Sequence, residues 1–305
     1  MQRVLKLYLG GTAITKLPPS IGQLTGLVLL NVRDCKSLTC LPSIIFNLKL
    51  LKGVNISGCS KLERLPENVG NTESVEELDV SGTAIREVPS SIGLLKNLKV
   101  LSFTGCKGLS SFNSTSWYDL LPFSSRPKIA DPMGLSSLSG LCSLTKLNLR
   151  DCNLREIPND IGCLFYLEEI DLSENSFVCF PDSISQLFKL ETMHLKNCTR
   201  LRSLPKLPVD IVVILGDGCT SLETILDLQK PNSFCKGELY LSNCSKLAHN
   251  QDFIDIFLAV IRKHHQVSLS LSLSLSLSLS LSLSLSMCMC YKQPALFVLG
   301  ILSSS

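Results

Sequence analysis

The stretch Leu51-Lys52-Gly53-Val54-Asn55-Ile56-Ser57-Gly58-Cys59 carries the pattern that decides the fold of this 305-residue chain. Its apolar residues stand at Leu51, Val54 and Ile56, and a small residue that can form hydrogen bonds follows at Cys59. The pattern returns at intervals of 21 to 25 residues, most of them 23 or 24, with one longer interval in the middle of the chain. Nine copies begin at Val4, Leu27, Leu51, Val75, Leu98, Leu144, Leu167, Leu190 and Ile211, and a partial tenth includes Leu239, Leu241 and Cys244.

This period and the pattern L-x-x-L-x-L-x-x-(Cys/Thr/Asn) are typical of leucine-rich repeats. Apolar and polar residues alternate within each copy, which predicts a short strand with its leucines pointing inward. A segment such as Leu65-Pro66 or Ile157-Pro158 predicts a short helical or 3-10 turn on the opposite side. We therefore expect an α/β leucine-rich-repeat solenoid. It should be a horseshoe with a parallel β-sheet on the concave face and short helical, 3-10 and loop segments on the convex face.

The repeats predict one elongated solenoid domain over residues 1–249, with an insertion at residues 107–143 that lengthens one repeat. We interpret the insertion as a surface loop anchored by Trp117, and a functional island is the alternative. Residues 250–266 have the pattern of a C-terminal amphipathic helix. Residues 267–305 form a low-complexity tail, in which Ser and Leu alternate from Ser268 to Ser286. A CT dinucleotide repeat would encode that alternation, so we expect the tail to be disordered or an artefact of the gene model.

One residue at a fixed offset ends the apolar stretch of every repeat, and we name these ten residues the turn column: Thr12, Cys35, Cys59, Thr83, Cys106, Cys152, Asn175, Cys198, Cys219 and Cys244. A position that accepts Cys, Thr or Asn requires a small group that forms hydrogen bonds inside the turn, and does not require a disulfide partner. Met1-Gln2-Arg3 leads directly into the first repeat, which leaves no room for a signal peptide. We therefore expect a reducing compartment and a cytoplasmic or nucleocytoplasmic location.

Composition and motifs argue against most chemical functions. The net charge is only +3, and no basic run is interleaved with aromatic residues, which disfavours nucleic acid as a partner. Half of the residues in the Ser-Leu alternation are serines with a polar hydroxyl group, which disfavours a membrane span there. Phosphate-binding, nucleophile-elbow and zinc motifs do not occur, and the carboxylate pairs Glu76-Glu77 and Glu168-Glu169 face solvent. We therefore predict no enzyme activity, no catalytic residue, no cofactor and no metal site.

The concave face is the predicted binding surface, because a solenoid offers its partners this extended surface. Its middle residues form what we call the central column: Tyr8, Asn31, Asn55, Asp79, Ser102, Asn148, Asp171, His194, Leu215 and Tyr240. Bands of acidic and basic residues cross it, and they either hold neighbouring repeats together or contact a partner. The predicted protein-binding residues are Tyr8, Asn31, Asn55, Glu76, Glu77, Asp79, Lys146, Asn148, Arg150, Glu168, Glu169, Asp171, His194 and Lys196.

Particular turns resemble the leucine-rich repeats of plant intracellular immune receptors, the disease resistance proteins of the TIR–nucleotide-binding–LRR class. The similar segments are Gly11-Thr12-Ala13-Ile14, Gly82-Thr83-Ala84-Ile85, Gly58-Cys59-Ser60-Lys61-Leu62, Asp151-Cys152-Asn153-Leu154 and Gly218-Cys219-Thr220-Ser221-Leu222. The resemblance covers about residues 1–262 and includes neither a TIR nor a nucleotide-binding domain. It implies a sensor for a pathogen effector or a guarded host protein. It also implies that the repeats hold an adjoining nucleotide-binding switch inactive, so the TIR and nucleotide-binding modules of a full-length receptor are further expected partners.

Two other interpretations remain open from the sequence. A general intracellular scaffold, similar to Ras-associated leucine-rich-repeat proteins, would use a more uniform repeat than this chain has. The ectodomain of a membrane receptor that has lost its signal peptide would fit sequons such as that at Asn55, but the cysteines of the turn column disfavour it.

Overall fold

The computed structural model describes residues 4–107, 138, 140–208, 210–225, 238–251 and 253–255. Within these residues a ten-stranded parallel sheet contains one strand from each repeat and follows chain order. Its strands are β1 Lys6–Tyr8, β2 Leu29–Asn31, β3 Gly53–Asn55, β4 Glu77–Asp79, β5 Val100–Ser102, β6 Lys146–Asn148, β7 Glu169–Asp171, β8 Thr192–His194, β10 Val213–Leu215 and β12 Glu238–Tyr240. The predicted solenoid is confirmed, including its weak ninth and tenth repeats.

From β2 onward, each strand of the ten-stranded sheet buries its middle residue and turns the two flanking residues towards the concave side, whereas Leu7 in β1 is half-buried. In β2 the middle residue Leu30 is fully buried, whereas Leu29 and Asn31 are half-buried. The same alternation holds in β8, where Met193 is fully buried between Thr192 and His194. The inward residues of successive repeats join one continuous hydrophobic core. Burial of this shared core stabilises the stack by roughly 25 cal/mol for each Å² of apolar surface removed from water.

Short 3-10 helices form the convex side, as the proline segments predict. They span Pro19–Gln23, Ser43–Asn47, Val69–Asn71, Ser90–Leu94, Asn159–Cys163 and Asp182–Gln186. In each, a proline carbonyl accepts a hydrogen bond from the buried Ile or Val three residues later, as in Ile92 N to Pro89 O at 3.0 Å. Proline suits the position because it fixes φ and the turn does not use its missing N–H group. The Ile or Val then inserts into the core behind the sheet.

The residue before the turn column is left-handed in every repeat, with φ between 54° and 78°. Glycine occupies this left-handed position five times, and Asn, Asp or Glu occupies it otherwise. The residues are Gly11, Asp34, Gly58, Gly82, Gly105, Asp151, Glu174, Asn197, Gly218 and Asn243. Residues with a Cβ atom adopt this conformation at a cost of about 1 kcal/mol, so the recurring glycines have a structural reason.

The turn column is buried in nine of its ten positions, and Thr12 in the first repeat is exposed. The seven cysteines donate their S–H groups to a carbonyl of the preceding repeat, as in Cys59 Sγ to Val32 O at 3.2 Å and Cys198 Sγ to Leu172 O at 3.2 Å. The sequence led us to expect hydrogen bonds inside the turn, and Thr12, Thr83 and Asn175 each donate to a carbonyl of their own turn. The thiols instead connect successive repeats, because the preceding repeat's carbonyl lies directly beside them.

Asn175 is the most extensively bonded member of the turn column. Its Nδ2 donates to Leu149 O of the preceding repeat at 2.8 Å and to Leu172 O of its own turn at 2.7 Å. Its Oδ1 accepts from Leu154 N at 2.9 Å. The side chain is 2% exposed, so these groups have no access to water as an alternative partner.

The remaining predicted segments lie partly outside the described residues. Strands β5 and β6 pair directly, with Val100 opposite Lys146, so the long interval does not interrupt the sheet. Most of the insertion, Trp117 and the Ser-Leu tail lie outside the described residues, and their boundaries stay predictions. Of the expected C-terminal helix, residues 251 and 253–255 are helical, after a short helix α1 at Ser245–Ala248. A second small sheet, β9 Ser203–Leu204 with β11 Thr224–Ile225, was not predicted.

Candidate functional site

The central column lies across the concave face in perfect register. Tyr8 is opposite Asn31, Asn31 is opposite Asn55, and the series continues through β12, where Tyr240 is opposite Leu215. Neighbouring members are separated by the roughly 4.8 Å spacing of adjacent strands. Tyr8 is exposed, and the other members of the column are half-buried. A partner lying along this face could therefore contact ten repeats through one line of side chains.

The side chains of five members of the central column also accept a hydrogen bond from the backbone at the end of their own strand. The side-chain oxygen of Asn31 accepts the backbone N–H group of Arg33 at 3.0 Å, and Asp171 accepts that of Ser173 at 2.9 Å. The same bond, from the residue two positions later, is present at Asn55, Asp79 and Asn148. This arrangement is the Asx turn, for which Asn and Asp are favoured. We did not predict this structural role from the sequence, although the repeated Asn or Asp at one offset could have indicated it.

The first acidic band is partly neutralised by lysines of the adjacent repeats. Lys52 and Lys99 each place Nζ 2.8 Å from a different carboxylate oxygen of Glu76. Their hydrogen bonds and positive charges lower the pKa of Glu76 from its usual 4.5 to about 2. Asp79 accepts a hydrogen bond from Asn55 Nδ2 at 3.2 Å. Glu77 is exposed and forms no ion pair within the described residues. The two lysines were not among the predicted site residues, although both occupy the position of Glu76 in neighbouring repeats.

The second acidic band pairs with Lys146 of β6 and with Arg150, which follows that strand. Lys146 Nζ lies 2.7 Å from Glu169 Oε2, and Arg150 donates to Glu174 at 2.7 Å. The Lys146 ammonium lowers the pKa of Glu169, and Glu169 in turn raises the pKa of Lys146. His194 Nε2 lies 3.3 Å from the other Glu169 oxygen. Lys146, Glu169 and His194 thus form a linked polar group across β6, β7 and β8.

Two predicted site residues stand apart from this group. Lys196 does not pair with the second acidic band, because its Nζ lies 3.9 Å from Asp217 in the following repeat. Glu168 makes no ion pair among the described residues, although its charge contributes to the raised pKa of Lys146. Pairs across exposed surfaces stabilise a protein by at most about 1 kcal/mol. The charge bands therefore contribute little to stability and still present a patterned surface.

The concave face is shallow. An open depression of about 410 Å³ lies beside β3 and β4, and its lining is polar: Arg33, Asp34, Ser57, Gly58, Asp79, Ser81, Gly82 and Thr104. Small-molecule sites are usually concave and largely apolar. Ser81 Oγ contacts Ser102 Oγ at 2.7 Å, so hydroxyl groups also connect adjacent repeats here. An open polar surface of this kind suits a macromolecular partner better than an enclosed small ligand.

The buried thiols and the polar clusters show no arrangement for catalysis in the described part of the chain. Burial raises the pKa of Cys152 and of Cys244 to about 12, which suppresses the reactive thiolate. No group of three or more His, Cys, Asp or Glu residues is placed to hold a metal ion within those same residues. None of the helices described there has the length and apolar character to cross a bilayer.

Comparisons with known families and proteins agree with this fold. Residues 1–65 match a family described as "Disease resistance protein RPS4B-like, leucine-rich repeats". Residues 143–164 and 166–187 match the general leucine-rich-repeat family. Among solved structures, the leucine-rich-repeat domain of the type III effector XopL is similar with a TM-score of 0.54 and 25% identity, over 70% of this chain and 68% of that one. A leucine-rich-repeat protein of Leptospira interrogans has a TM-score of 0.50 at 22% identity, over 80% and 70% of the two chains, which supports the fold alone.

Curated relatives are plant disease resistance proteins. Disease resistance-like protein DSC1 of Arabidopsis thaliana is 36% identical over 256 residues, which cover 82% of this chain and 19% of that protein. Disease resistance protein RPP2B of the same plant is 38% identical over 73% of this chain and 17% of its own length. TMV resistance protein N of Nicotiana glutinosa is 38% identical over 42% of this chain and 10% of its own length.

The chain spans about a fifth or less of the length of these relatives. Their similarity, the ten-stranded sheet and the Cys, Thr and Asn turns agree with the resemblance to TIR–nucleotide-binding–LRR receptors that the sequence indicated. The chain therefore belongs to the leucine-rich repeats of plant disease resistance proteins.

Proposed function

We propose that this chain is the recognition module of a plant immune receptor and that it binds a pathogen effector or a guarded host protein through its concave face. The observation that carries the proposal is the in-register central column, flanked by charged side chains that remain exposed to solvent. Complementary charge guides association and selects partners, even where each single pair contributes little affinity. The module is not an enzyme and acts by binding alone.

The linked group of Lys146, Glu169 and His194 is the proposed centre of this surface. It joins three adjacent strands, and each of its side chains is between 26% and 56% exposed. A partner can replace one of these contacts with its own charged group at low cost, because the pairs are exposed. Arg150 and Glu168 extend the same surface towards the two ends of the strands. Asn148 and Asp171 lie on the same strands as Lys146 and Glu169 and belong to this centre. We place the remaining predicted residues, from Tyr8 to Asp79 and at Lys196, on its periphery.

We further propose that the repeats hold an adjoining nucleotide-binding switch inactive in a longer receptor. The location that fits this role is the cytoplasm, or the cytoplasm and nucleus. Fluorescence microscopy of a tagged chain in leaf cells tests the location. Co-expression with the TIR and nucleotide-binding portion of a resistance protein tests the inhibition. The proposal expects weaker cell death when the chain is present, and unchanged cell death would contradict it.

Recognition is tested by screening pathogen effectors and host proteins for binding to the 305-residue chain. Each interactor is then measured against Lys146→Ala/His194→Ala. We expect the double variant to lower affinity by about tenfold, the usual effect of removing an interface hot spot. Glu223→Ala is the matched control, since Glu223 also forms a 2.7 Å ion pair, with Lys246, away from the ten-stranded sheet. Interactors that bind the double variant as tightly as the original chain would contradict the proposal.

A further inference from the structure

Two neighbouring turns at the lateral edge of the solenoid expose aromatic side chains. Phe165 and Tyr166 form the turn before β7, and Phe188 begins the equivalent turn before β8. These three side chains are 52%, 52% and 58% exposed. Lys189 Nζ lies 4.4 Å from the centre of the Tyr166 ring, so the two turns are in direct contact. We call Phe165, Tyr166 and Phe188, together with Glu168 and Glu191, the edge patch.

The edge patch differs from the same positions in other repeats. The equivalent turns are Thr25-Gly26, Lys49-Leu50, Glu73-Ser74, Lys96-Asn97 and Cys142-Ser143. Leu50 is the single exposed large apolar residue among them. Isolated exposed apolar residues are common on protein surfaces and need no explanation, whereas a cluster marks an interaction site. Aromatic rings supply much of the binding energy at the centres of protein interfaces.

Two carboxylates border the aromatic side chains of the edge patch. Glu168 and Glu191 occupy equivalent positions immediately before β7 and β8, and Glu191 N donates to Glu168 O at 2.9 Å. Both are exposed, and neither forms an ion pair within the described residues. Like charges at equivalent positions of adjacent strands repel each other. A cation supplied by a partner would relieve that repulsion, and Lys189 is already directed at the Tyr166 ring.

We propose that the edge patch binds a segment of a partner protein in which apolar side chains alternate with lysine or arginine. The apolar side chains would cover Phe165 and Phe188, and the basic groups would pair with Glu168 and Glu191. This inference rests on the proposed function as a protein-binding module and assigns it a second surface, which shares Glu168 with the concave surface and contains none of Lys146, Glu169 and His194. Three half-exposed rings cover less than the roughly 800 Å² per partner of a standard interface, so the edge patch is the centre of a contact.

The test uses three synthetic peptides of twelve residues, labelled with a fluorophore, and the 305-residue chain. The first alternates Lys with Leu or Phe, the second replaces Lys with Glu, and the third replaces the apolar residues with Ser. Fluorescence anisotropy should show the tightest binding for the first peptide, weakened by added salt. Equal binding of all three peptides, or no binding of the first at millimolar concentration, would overturn the proposal.

Variants assign that binding to the edge patch. Phe188→Ser should weaken binding of the basic peptide by about tenfold. Leu50→Ser is the matched control, because Leu50 occupies the position of Tyr166 in the third repeat and is equally exposed. It should bind as the original chain does. Glu168→Lys/Glu191→Lys should prefer the acidic peptide, and a retained preference for the basic peptide would contradict the assigned role of the carboxylates.

Two outcomes separate this inference from its alternatives. Binding of the original chain to phosphatidylserine vesicles that is lost in Phe188→Ser would assign the edge patch to a membrane and overturn the proposal. The concave-face experiment uses Lys146→Ala/His194→Ala, which leaves all five residues of the edge patch in place. If the edge-patch variants bind peptides normally while that double variant loses its protein partner, the second surface is wrong and the proposed function stands.

Discussion

The turn column and the central column each contribute one residue to every repeat, yet the two columns accept different residues. The turn column is restricted to Cys, Thr and Asn, and nine of its ten members are buried. The central column contains Tyr, Asn, Asp, Ser, His and Leu, and water reaches all of them. Residues of the turn column must donate hydrogen bonds to buried carbonyl groups. The central column has a comparable structural requirement at five positions, where an Asn or Asp side chain accepts a backbone N–H group and closes a turn. Variation in the central column is therefore available for recognition.

Thiol reactivity should show the largest contrast between buried and exposed positions. The pKa of Cys152 is raised from 9.0 to about 12, so at pH 8 the folded chain contains about a thousandfold less of its thiolate. Cys142 and Cys179 are exposed. We expect iodoacetamide to modify these two exposed cysteines much faster than the buried Cys152, as measured by mass spectrometry of peptides. In concentrated urea the rates should converge. Equal rates in the folded chain would contradict a buried turn column.

Asn175→Leu tests the hydrogen bonds of the turn column. The substitution leaves the carbonyl of Leu149 and the N–H group of Leu154 without a partner in the core, and it leaves the carbonyl of Leu172 with the Cys198 thiol as its donor. We expect a loss of about 3 kcal/mol in the free energy of unfolding, measured by urea denaturation. Asn148→Leu, in the central column of the preceding repeat, is the control and should cost about 1 kcal/mol or less. Similar losses at both positions would remove the distinction between the columns.

Gly82→Ala tests the left-handed position that precedes the turn column. Gly82 has φ of 63°, and an added Cβ atom would meet no heavy atom closer than 3.6 Å, so the effect isolates backbone conformation. We expect Gly82→Ala to lower the free energy of unfolding by about 1 kcal/mol. Gly82→Asn should cost less, since Asn197 and Asn243 occupy this position in other repeats. An unchanged midpoint of urea denaturation for Gly82→Ala would show that the turn does not require the left-handed conformation.

The ion pairs of Glu76 should give the smallest effect. Because the folded state lowers the pKa of Glu76 to about 2, the stabilisation is present above the ordinary pKa of 4.5 and is lost as pH falls towards 2. Glu76→Gln should therefore lower Tm slightly at pH 7, and this difference from the original chain should shrink below pH 4.5. Glu77→Gln, which removes no ion pair of the described residues, should not change Tm. A difference for Glu76→Gln that is constant from pH 7 to pH 3 would contradict the role of Lys52 and Lys99.

The sequence predicted the ten strands because inward residues such as Leu30 and Met193 must be buried wherever the pattern recurs. Even the weak copy at Ile211 contains a strand, β10, which pairs in parallel with β8 of the preceding repeat. The small sheet of β9 and β11 lies outside the recurring pattern and was missed. The charge bands could be predicted from the sequence. The ion pairs of Glu76 with Lys52 and Lys99 could not, because they depend on how far the two lysine side chains extend. The edge patch could not be predicted from the sequence, because aromatic residues such as Phe165 are usually buried and only the structure shows that this one is exposed.

A paired alanine scan of the turn column and the central column, with Tm and partner affinity measured for each variant, tests most directly whether the two columns have separate roles. Turn-column variants should lower Tm. Asn148→Ala, Asp171→Ala and His194→Ala should each weaken partner binding by about threefold, while Tm changes by only a few degrees. Folded central-column variants that bind the partner as tightly as the original chain would contradict the claim that the concave face is the recognition surface.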